Sequence, residues 1–586
     1  MPVGATASEL RSTVERLHAE VTGPTLDAET RRRSAEQLRL LRTQFLSNRS
    51  AFSPDLLAML KQVSTTLAAC SDSPARVLEQ LGFRDFRPGQ REIIGAVLSG
   101  RDCVGIMPTG AGKSLTYQIP TRILGQTTLV VSPLIALMKD QVDQLDELGM
   151  RATFLNSSIS PEEKRRRIER LHAGDIELLY AAPEGLETSV GRVLGTLPLG
   201  LIAIDEAHCI SHWGHDFRPA YRNLAGLKRR FGGVPMLALT ATATPEVTRD
   251  IAEQLGMQRP ALYRGSFFRK NLRVFSYLKG DGLGTPVRES ITHLCHERRG
   301  ESGIVYCLSR KTTESTAQYL NQRGLRAAAY HAGLESGERT RVQEAFRRDD
   351  IEIVCATIAF GMGIDKSNVR FVIHRDMPRS IEGYYQEIGR AGRDGAPADC
   401  VLFYSWSEVK AYDKFADDSP DEAIALRQRA QARAMFRLAE ATGCRHQHIV
   451  GYFEEQIPAC GDACDHCTGH DPVRAARARP LPRASGAKAR ADTPPVSADG
   501  LVSGGRLSVG LADAGLFERL KFLRRRLADE RGVPAYVIFS DATLLEMAAH
   551  RPQTEGELLG ISGVGPTKLE RYGDLFLGVL REQQPA

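Results

Sequence analysis

Two groups of residues have types and spacings that prescribe chemistry. The first begins at Met107-Pro-Thr-Gly-Ala-Gly-Lys-Ser114. Small residues at Gly110, Ala111 and Gly112 let successive backbone N–H groups close around phosphate oxygens. The helical segment that follows aims its positive N-terminal end at the same place. In such a loop Lys113 reaches the β- and γ-phosphates and the Ser114 hydroxyl ligates Mg²⁺, so Thr109 to Ser114 are the candidate nucleotide-binding residues. Asp205-Glu206 stands directly after the apolar run Leu201–Ile204. An isolated Asp-Glu pair is usually a solvated turn. Behind a buried strand and downstream of a phosphate loop, Asp205 holds Mg²⁺ and Glu206 polarises the attacking water. The second group is Cys444, Cys460, Cys464 and Cys467. Four thiolates at these short spacings suit tetrahedral Zn²⁺ in a closed, structural site. His446 and His466 are competing ligands, and free thiols or a redox pair are the alternative.

The elements that must position these residues are legible as runs and breaks. The chain has 586 residues, 42% hydrophobic and 25% charged, with a net charge of +6. That is ordinary for a soluble protein of three to five domains at roughly 100–200 residues each. The mild basicity permits a polyanionic partner without identifying one. No apolar run approaches the roughly 20 residues that span a bilayer, and Met1–Leu10 has no secretory pattern. A cytoplasmic location is expected, nucleoid-associated in a bacterium, with no membrane partner. In that reducing setting the 11 cysteines point to metal rather than disulfides. Residues 1–72 read as a helical extension, with Leu38, Leu41 and Phe45 at helical spacing and Arg31–Arg33 as a solvated face. Residues 73–265 alternate short apolar strands, such as Thr128–Val131 and Leu201–Ile204, with helices. Residues 266–410 repeat the pattern, with strands at Gly303–Cys307, Ile351–Cys355 and Phe371–His374. Strands apolar on both faces belong to parallel α/β sheets, here two with a cleft between them. A helical metal module is expected over 411–470. A basic flexible linker follows over 471–510, rich in Ala, Pro, Arg and Ser. A compact helical unit over 511–583 ends the sequence.

Over residues 75–470 the sequence resembles the RecQ family of superfamily 2 helicases. Phe86-Arg-Pro-Gly-Gln90 resembles the family's adenine motif, which implies Gln90 on the base edge with Phe83 and Arg87 nearby. Val131-Ser-Pro-Leu134 and Lys139-Asp-Gln141 resemble segments that grip a single strand, implicating Ser132 and Lys139. Leu239-Thr-Ala-Thr242 resembles the segment coupling hydrolysis to domain movement. Tyr330-His-Ala-Gly333, Ala356-Thr357 and Gly361–Lys366 follow in family order, which implies strand contacts at Tyr330, His331 and Thr357. Gln386-Glu-Ile-Gly-Arg-Ala-Gly-Arg393 completes the set. The resemblance implies two RecA-like motor domains, with Arg393 as the arginine finger and Arg390 assisting.

His208–Arg218 resembles the family's aromatic-rich loop. Trp213 and Phe217 would stack on bases and Arg218 would contact phosphate, with core packing as the alternative for Trp213. His212 stands where the family usually has Gln, which is expected to retune coupling. Ala463 resembles a one-residue insertion in the zinc module. Only about 40 residues separate Cys467 from the final unit, too few for the winged helix common in the family. The final unit resembles an HRDC domain. Its Val533–Asp541 segment matches the family signature, and its Gly560–Lys568 turn is suited to holding a backbone phosphate, with Lys568 and Tyr536 adding contacts. Packing alone is the alternative there.

The resemblance implies an ATP-dependent 3′→5′ DNA helicase with ATP, Mg²⁺ and Zn²⁺, acting in repair and recombination. The implied partners are single-stranded and partly duplex DNA, and single-strand-binding or other repair proteins. A DNA-dependent translocase with weak unwinding is the alternative, given the short interval before the final unit. Intact Lys113, Asp205, Glu206 and Arg393 argue against a non-catalytic scaffold. An RNA helicase is disfavoured by the aromatic-rich loop and the zinc cluster.

Overall fold

The computed structural model describes residues 7–22, 52–70, 73–133, 135–156, 159–186, 189–212, 216–280, 285–363, 366–417, 421–477 and 511–581, with single positions between 30 and 41. Short runs of Val, Ile, Leu and Ala form the strands. The first sheet contains β1 (Cys103–Ile106), β2 (Thr127–Val131), β3 (Ala152–Leu155), β4 (Leu178–Ala181), β5 (Leu199–Ile204), β6 (Met236–Thr240) and β7 (Ala261–Arg264). Their order is β3-β4-β2-β5-β6-β1-β7. The second sheet contains β8 (Leu272–Leu278), β9 (Ser302–Tyr306), β10 (Ala327–Tyr330), β11 (Ile353–Ala356), β12 (Val369–His374) and β13 (Ala398–Tyr404), in the order β10-β11-β9-β12-β13-β8. Every pairing within both sheets is parallel. Helices cover both faces, so the central strands are buried throughout. In an open parallel sheet the loops leaving the carboxyl ends build the ligand site. Here those loops carry Lys113 after β1, Ser132 after β2, Asp205 after β5 and Thr242 after β6.

Helices Trp406–Asp417 and Glu422–Glu440 pair beside the second sheet and lead through helix Arg445–Tyr452 into the cysteine loop. The first of these helices runs across residue 410. The cysteine loop closes an exposed sheet edge. Val274 N–H on edge strand β8 donates to Ala463 O at 3.0 Å, and Ser276 N–H donates to Asp465 Oδ2 at 3.1 Å. Ala463 therefore has a structural task, since an uncovered edge strand invites pairing with other chains. Part of the expected linker is structured. Residues Pro472–Arg477 form a helix whose Val473 and Ala476 are buried in the core of the second domain. Val473 and Ala476, three residues apart on one face, anchor this short helix against helix Val287–Glu297. The remainder of that segment, residues 478–510, lies outside the described residues.

Helices Ala7–Thr22 and Pro54–Cys70 pack together around Val14, Leu17, Leu56 and Val63. Phe45 and the Arg31–Arg32 positions lie outside the described residues. The C-terminal helices Leu511–Arg531, Asp541–His550 and Pro566–Arg581 enclose Leu520, Ile538, Leu544 and Phe576. This unit rests on the motor. Buried Glu147 of the first domain pairs with Arg531 at 2.9 Å and Arg571 at 3.2 Å, and accepts from Tyr572 OH at 2.7 Å. Gly563 N–H donates to Gly82 O at 2.9 Å. On the other flank Arg525 pairs with Asp350 of the second domain.

Candidate nucleotide and nucleic-acid site

The phosphate loop joins β1 to helix Leu115–Leu124. Gly110 and Gly112 have φ of 79° and 76°, a region open to glycine that tips successive N–H groups inward. Lys113 Nζ donates to Met107 O at 3.2 Å across the base of the loop. Withdrawal from water lowers the Lys113 pKa, and Glu206 and Asp205 work against that shift. The lysine therefore faces both carboxylates. Arg87 and Gln90 support the loop from below. Gln90 Nε2 donates to Ala111 O at 3.3 Å and Gly112 O at 2.9 Å, its Oε1 accepts from Arg87 N–H at 2.8 Å, and Arg87 Nη1 donates to Gly110 O. Its amide is buried and bonded to backbone through both Nε2 and Oε1, which holds the loop. Phe83, half-buried, packs against the same core.

Glu206 has φ of 47°, uncommon for a residue with a Cβ and costing of order 1–3 kcal/mol. The bend follows Asp205, whose N–H donates to Val131 O at 2.9 Å and whose carbonyl accepts from Tyr221 OH at 2.9 Å. Glu206 Oε2 is buried without a hydrogen bond, 3.4 Å from His208 Nδ1. His208 meets Thr240 Oγ1 at 2.9 Å, Thr242 N–H donates to Thr240 Oγ1 at 3.2 Å, and Gln386 Nε2 of the second domain donates to Thr242 Oγ1 at 3.4 Å. A continuous polar chain thus runs from the carboxylate to the helix that leads into the arginine loop.

That loop lies directly across the cleft. A Cβ on Gly389 would fall 2.1 Å from Thr109 Oγ1, and one on Gly110 would fall 3.5 Å from Arg393 Cα. Arg393 is close enough to depress the Lys113 pKa. Arg390 sits instead beside the buried Tyr306 phenol. Of the two arginines, Arg393 is the one beside the phosphate loop. Sequence reasoning missed Arg269, whose guanidinium touches both walls of the cleft. It also missed Arg347, which reaches from the second domain to buried Asp140 at 2.5 Å. An arginine just past the seventh strand, on the crossing between sheets, was the available signal for the first. The second left none in the sequence.

The candidate strand contacts divide. Lys139 is exposed, 3.8 Å from Asp143. Thr357 is half-buried at the mouth of β11. Three others are buried. Ser132 is enclosed, and its N–H donates to Ala181 O at 3.1 Å. Tyr330 packs on Phe360 at 4.6 Å with its hydroxyl accepting from Gln343. His331 is buried with Nε2 3.0 Å from Glu314 Oε1. Packing at the carboxyl end of the sheet has claimed these side chains. In the aromatic-rich loop, Trp213 lies outside the described residues. The Phe217 ring lies 3.9 Å from the His212 ring, tilted by 32°. Arg218 is held by Asp216 at 3.2 Å and donates to Pro133 O at 3.2 Å. The Gly560–Lys568 turn makes internal and interdomain contacts. Gly563 N–H faces Gly82, and Lys568 Nζ donates to Val537 O and Ile538 O at 2.9 and 2.8 Å. Burial there pushes the Lys568 pKa down to about 8.

The sulfur atoms of Cys444, Cys460, Cys464 and Cys467 lie within 4.8 Å of one another. Zinc–sulfur bonds of about 2.3 Å place tetrahedral sulfurs about 3.8 Å apart, so the cluster fits Zn²⁺. His446 is excluded as a ligand because its Nε2 contacts Leu272 O and Ala463 O at 3.0 and 3.1 Å. His466 is exposed and lies outside the cluster.

Two parallel sheets facing each other, one bearing a phosphate loop and paired carboxylates and the other an arginine loop, define a nucleotide-driven motor of the helicase type. Comparison with known families agrees. Family models match as DEAD/DEAH box helicase over residues 87–251, helicase conserved C-terminal domain over 287–395, RecQ zinc-binding over 406–468 and HRDC domain over 513–580. The chain is 38% identical to the ATP-dependent DNA helicase RecQ of Pasteurella multocida, covering 86% of this chain and 92% of that one. It is 38% identical to the protein of the same name from Bacillus subtilis, covering 85% and 96%. The solved structure of Mss116p bound to single-stranded RNA and AMP-PNP matches with a TM-score of 0.50 at 17% identity, covering 66% of this chain and 86% of that one, which shows the shared motor fold alone. The chain belongs to the RecQ helicase family. It binds ATP through the motor and Zn²⁺ through the cysteine cluster.

Proposed function

We propose that this chain is an ATP-dependent DNA helicase that moves 3′→5′ along a single strand and separates duplex, in DNA repair and recombination. The observation that carries the reading is the contact of the arginine loop with the phosphate loop, which puts both walls of a hydrolytic cleft in reach of one triphosphate. Thr109 to Ser114 hold the phosphates, with Gln90 and Arg87 keeping the loop in shape. Ser114 and Asp205 are the residues that would hold Mg²⁺, which neutralises developing charge when bound. Glu206 orients water, and Arg393 stabilises the transferred charge from the second domain. Closing and opening of the cleft alternates the grip of the two domains on the strand.

Lys139, Thr357 and the loop around Phe217 and Arg218 supply strand contacts to phosphate and base. The full-length relatives carry the helicase designation, which favours unwinding over translocation alone. Single-strand-binding protein and other repair proteins are proposed partners. Among the described residues no helix is long and apolar enough to cross a membrane, which accords with a cytoplasmic place on the nucleoid. The test is DNA-stimulated ATP hydrolysis and fork unwinding by the full chain and by Lys113→Ala. Both activities are expected to vanish in the variant, and stimulated hydrolysis that survives it would overturn the reading.

A further inference from the structure

The chain crosses from one sheet to the other through residues 265–271, and this crossing is pinned at each end. Tyr385 OH donates to Phe267 O at 2.9 Å. Phe267 N–H donates to Glu455 Oε2 at 2.6 Å, and the Phe267 ring stacks on Phe453 at 4.3 Å. At the far end Asn271 Nδ2 donates to Gly392 O and Ala396 O, each at 2.9 Å. Between these anchors Arg269 enters the cleft. Its Nη1 donates to Thr109 O at 2.7 Å, on the phosphate loop. Its Nη2 donates to Ala391 O at 3.1 Å and Gly392 O at 2.9 Å, on the arginine loop. Its Nε donates to Asn271 Oδ1 at 3.2 Å.

One planar fork therefore spans the two loops whose separation sets the reach of Arg393. All these acceptors are neutral. Burial lowers the Arg269 pKa, and the nearby Arg393 and Arg87 lower it further. A guanidinium held among like charges on neutral carbonyls is placed for geometry rather than for ion pairing.

We propose that Arg269 is a positioning residue for ATP hydrolysis, a strut from the interdomain crossing that sets the register of the Arg390–Arg393 loop on the phosphate loop. Closure then brings Arg393 to the transferred phosphoryl group only when the crossing holds this conformation. The proposal rests on Arg393 being the finger.

The test uses the full chain with saturating single-stranded DNA and four variants: Arg269→Ala, Arg269→Lys, Arg393→Ala and the double alanine variant. A misplacement of about 1 Å at a catalytic group lowers rate by up to about 100-fold. Arg269→Ala is therefore expected to lower kcat by about 10- to 100-fold while KM and ADP affinity change by less than about 3-fold. Affinity for ADP–aluminium fluoride, which mimics the transferring phosphoryl group, should fall in step with kcat. Arg269→Lys keeps the charge but not the fork and should behave like alanine. In the Arg393→Ala background, loss of Arg269 should change kcat by less than about 2-fold, because the two act as a unit. Restoration of kcat by lysine, multiplying losses in the double variant, or an equal loss of ADP affinity each overturns the strut. Unchanged kcat in Arg393→Ala overturns the finger reading. Unchanged kcat in Arg269→Ala beside a normal loss in Arg393→Ala overturns the strut alone.

Discussion

Glu206 concentrates several features of the site in one side chain: a left-handed backbone, a buried oxygen without a hydrogen bond, and a histidine 3.4 Å away. Glu206→Gln keeps the size but removes the base, together with a charge that acts on Lys113. It should leave ATP binding intact and slow hydrolysis by about 100-fold or more, read by pre-steady-state phosphate release. Asp541 gives a residue-scale prediction of another kind. Burial opposes its ionisation, but Arg524, 2.7 Å away, and Lys521 outweigh that and hold its carboxyl at about 2. The folded carboxyl therefore binds its proton at lower pH than the unfolded one, whose value is 3.8. The resulting stability, about 2 kcal/mol, is fully present above pH 4 or so and is lost as pH falls toward 2. Hydrogen exchange of the C-terminal helices in the full chain should show this acid limb, and Asp541→Asn should flatten it.

At the scale of elements, two joints decide how the motor behaves. The zinc loop covers edge strand β8 through Ala463 and Asp465. Chelation of zinc, or Cys464→Ser, should release that cover, lower the unfolding temperature and increase concentration-dependent association. Zinc content, a thermal melt and light scattering check the three effects. The second joint is Asp140 with Arg347, which ties helix Ile135–Glu147 of the first domain to helix Ser336–Arg347 of the second. Asp140 is buried, so its removal strands a cation in the interface, at a cost of about 3–5 kcal/mol. Asp140→Ala should leave ATP binding unchanged and uncouple hydrolysis from unwinding. The ratio of ATP consumed to base pairs opened is the measurement.

For the whole molecule, the HRDC unit is docked across both motor domains by Glu147, Gly82 and Asp350. Its Gly560–Lys568 turn faces the motor, so docking and phosphate holding by that turn exclude each other. Glu147→Ala removes the shared partner of Arg531, Arg571 and Tyr572. It should undock the unit, raising the radius of gyration in small-angle scattering while the helical content stays constant. An unchanged radius in that variant would show that Gly82 and Asp350 suffice to hold the unit.

The motor was legible in the sequence because its chemistry is local. A phosphate loop needs particular small residues in a row, and a carboxylate pair needs a strand just before it. The cysteine array was legible for the same reason. Parallel sheets were legible because strands buried on both faces must be apolar throughout. Residues whose tasks depend on distant partners were not. Gln90, Tyr330 and His331 occur in strings that resemble nucleotide- or strand-binding segments, and their buried contacts with Gly112, Phe360 and Glu314 could not be read from those strings. Arg347 and Glu147 carry no local signature, and Arg269 only its place just past the seventh strand, because each acts only once two domains meet. Sequence fixes what a segment can do by itself. Which face a side chain ends on, and which domain it ties to which, is set by long-range packing, and only the tertiary structure holds that information.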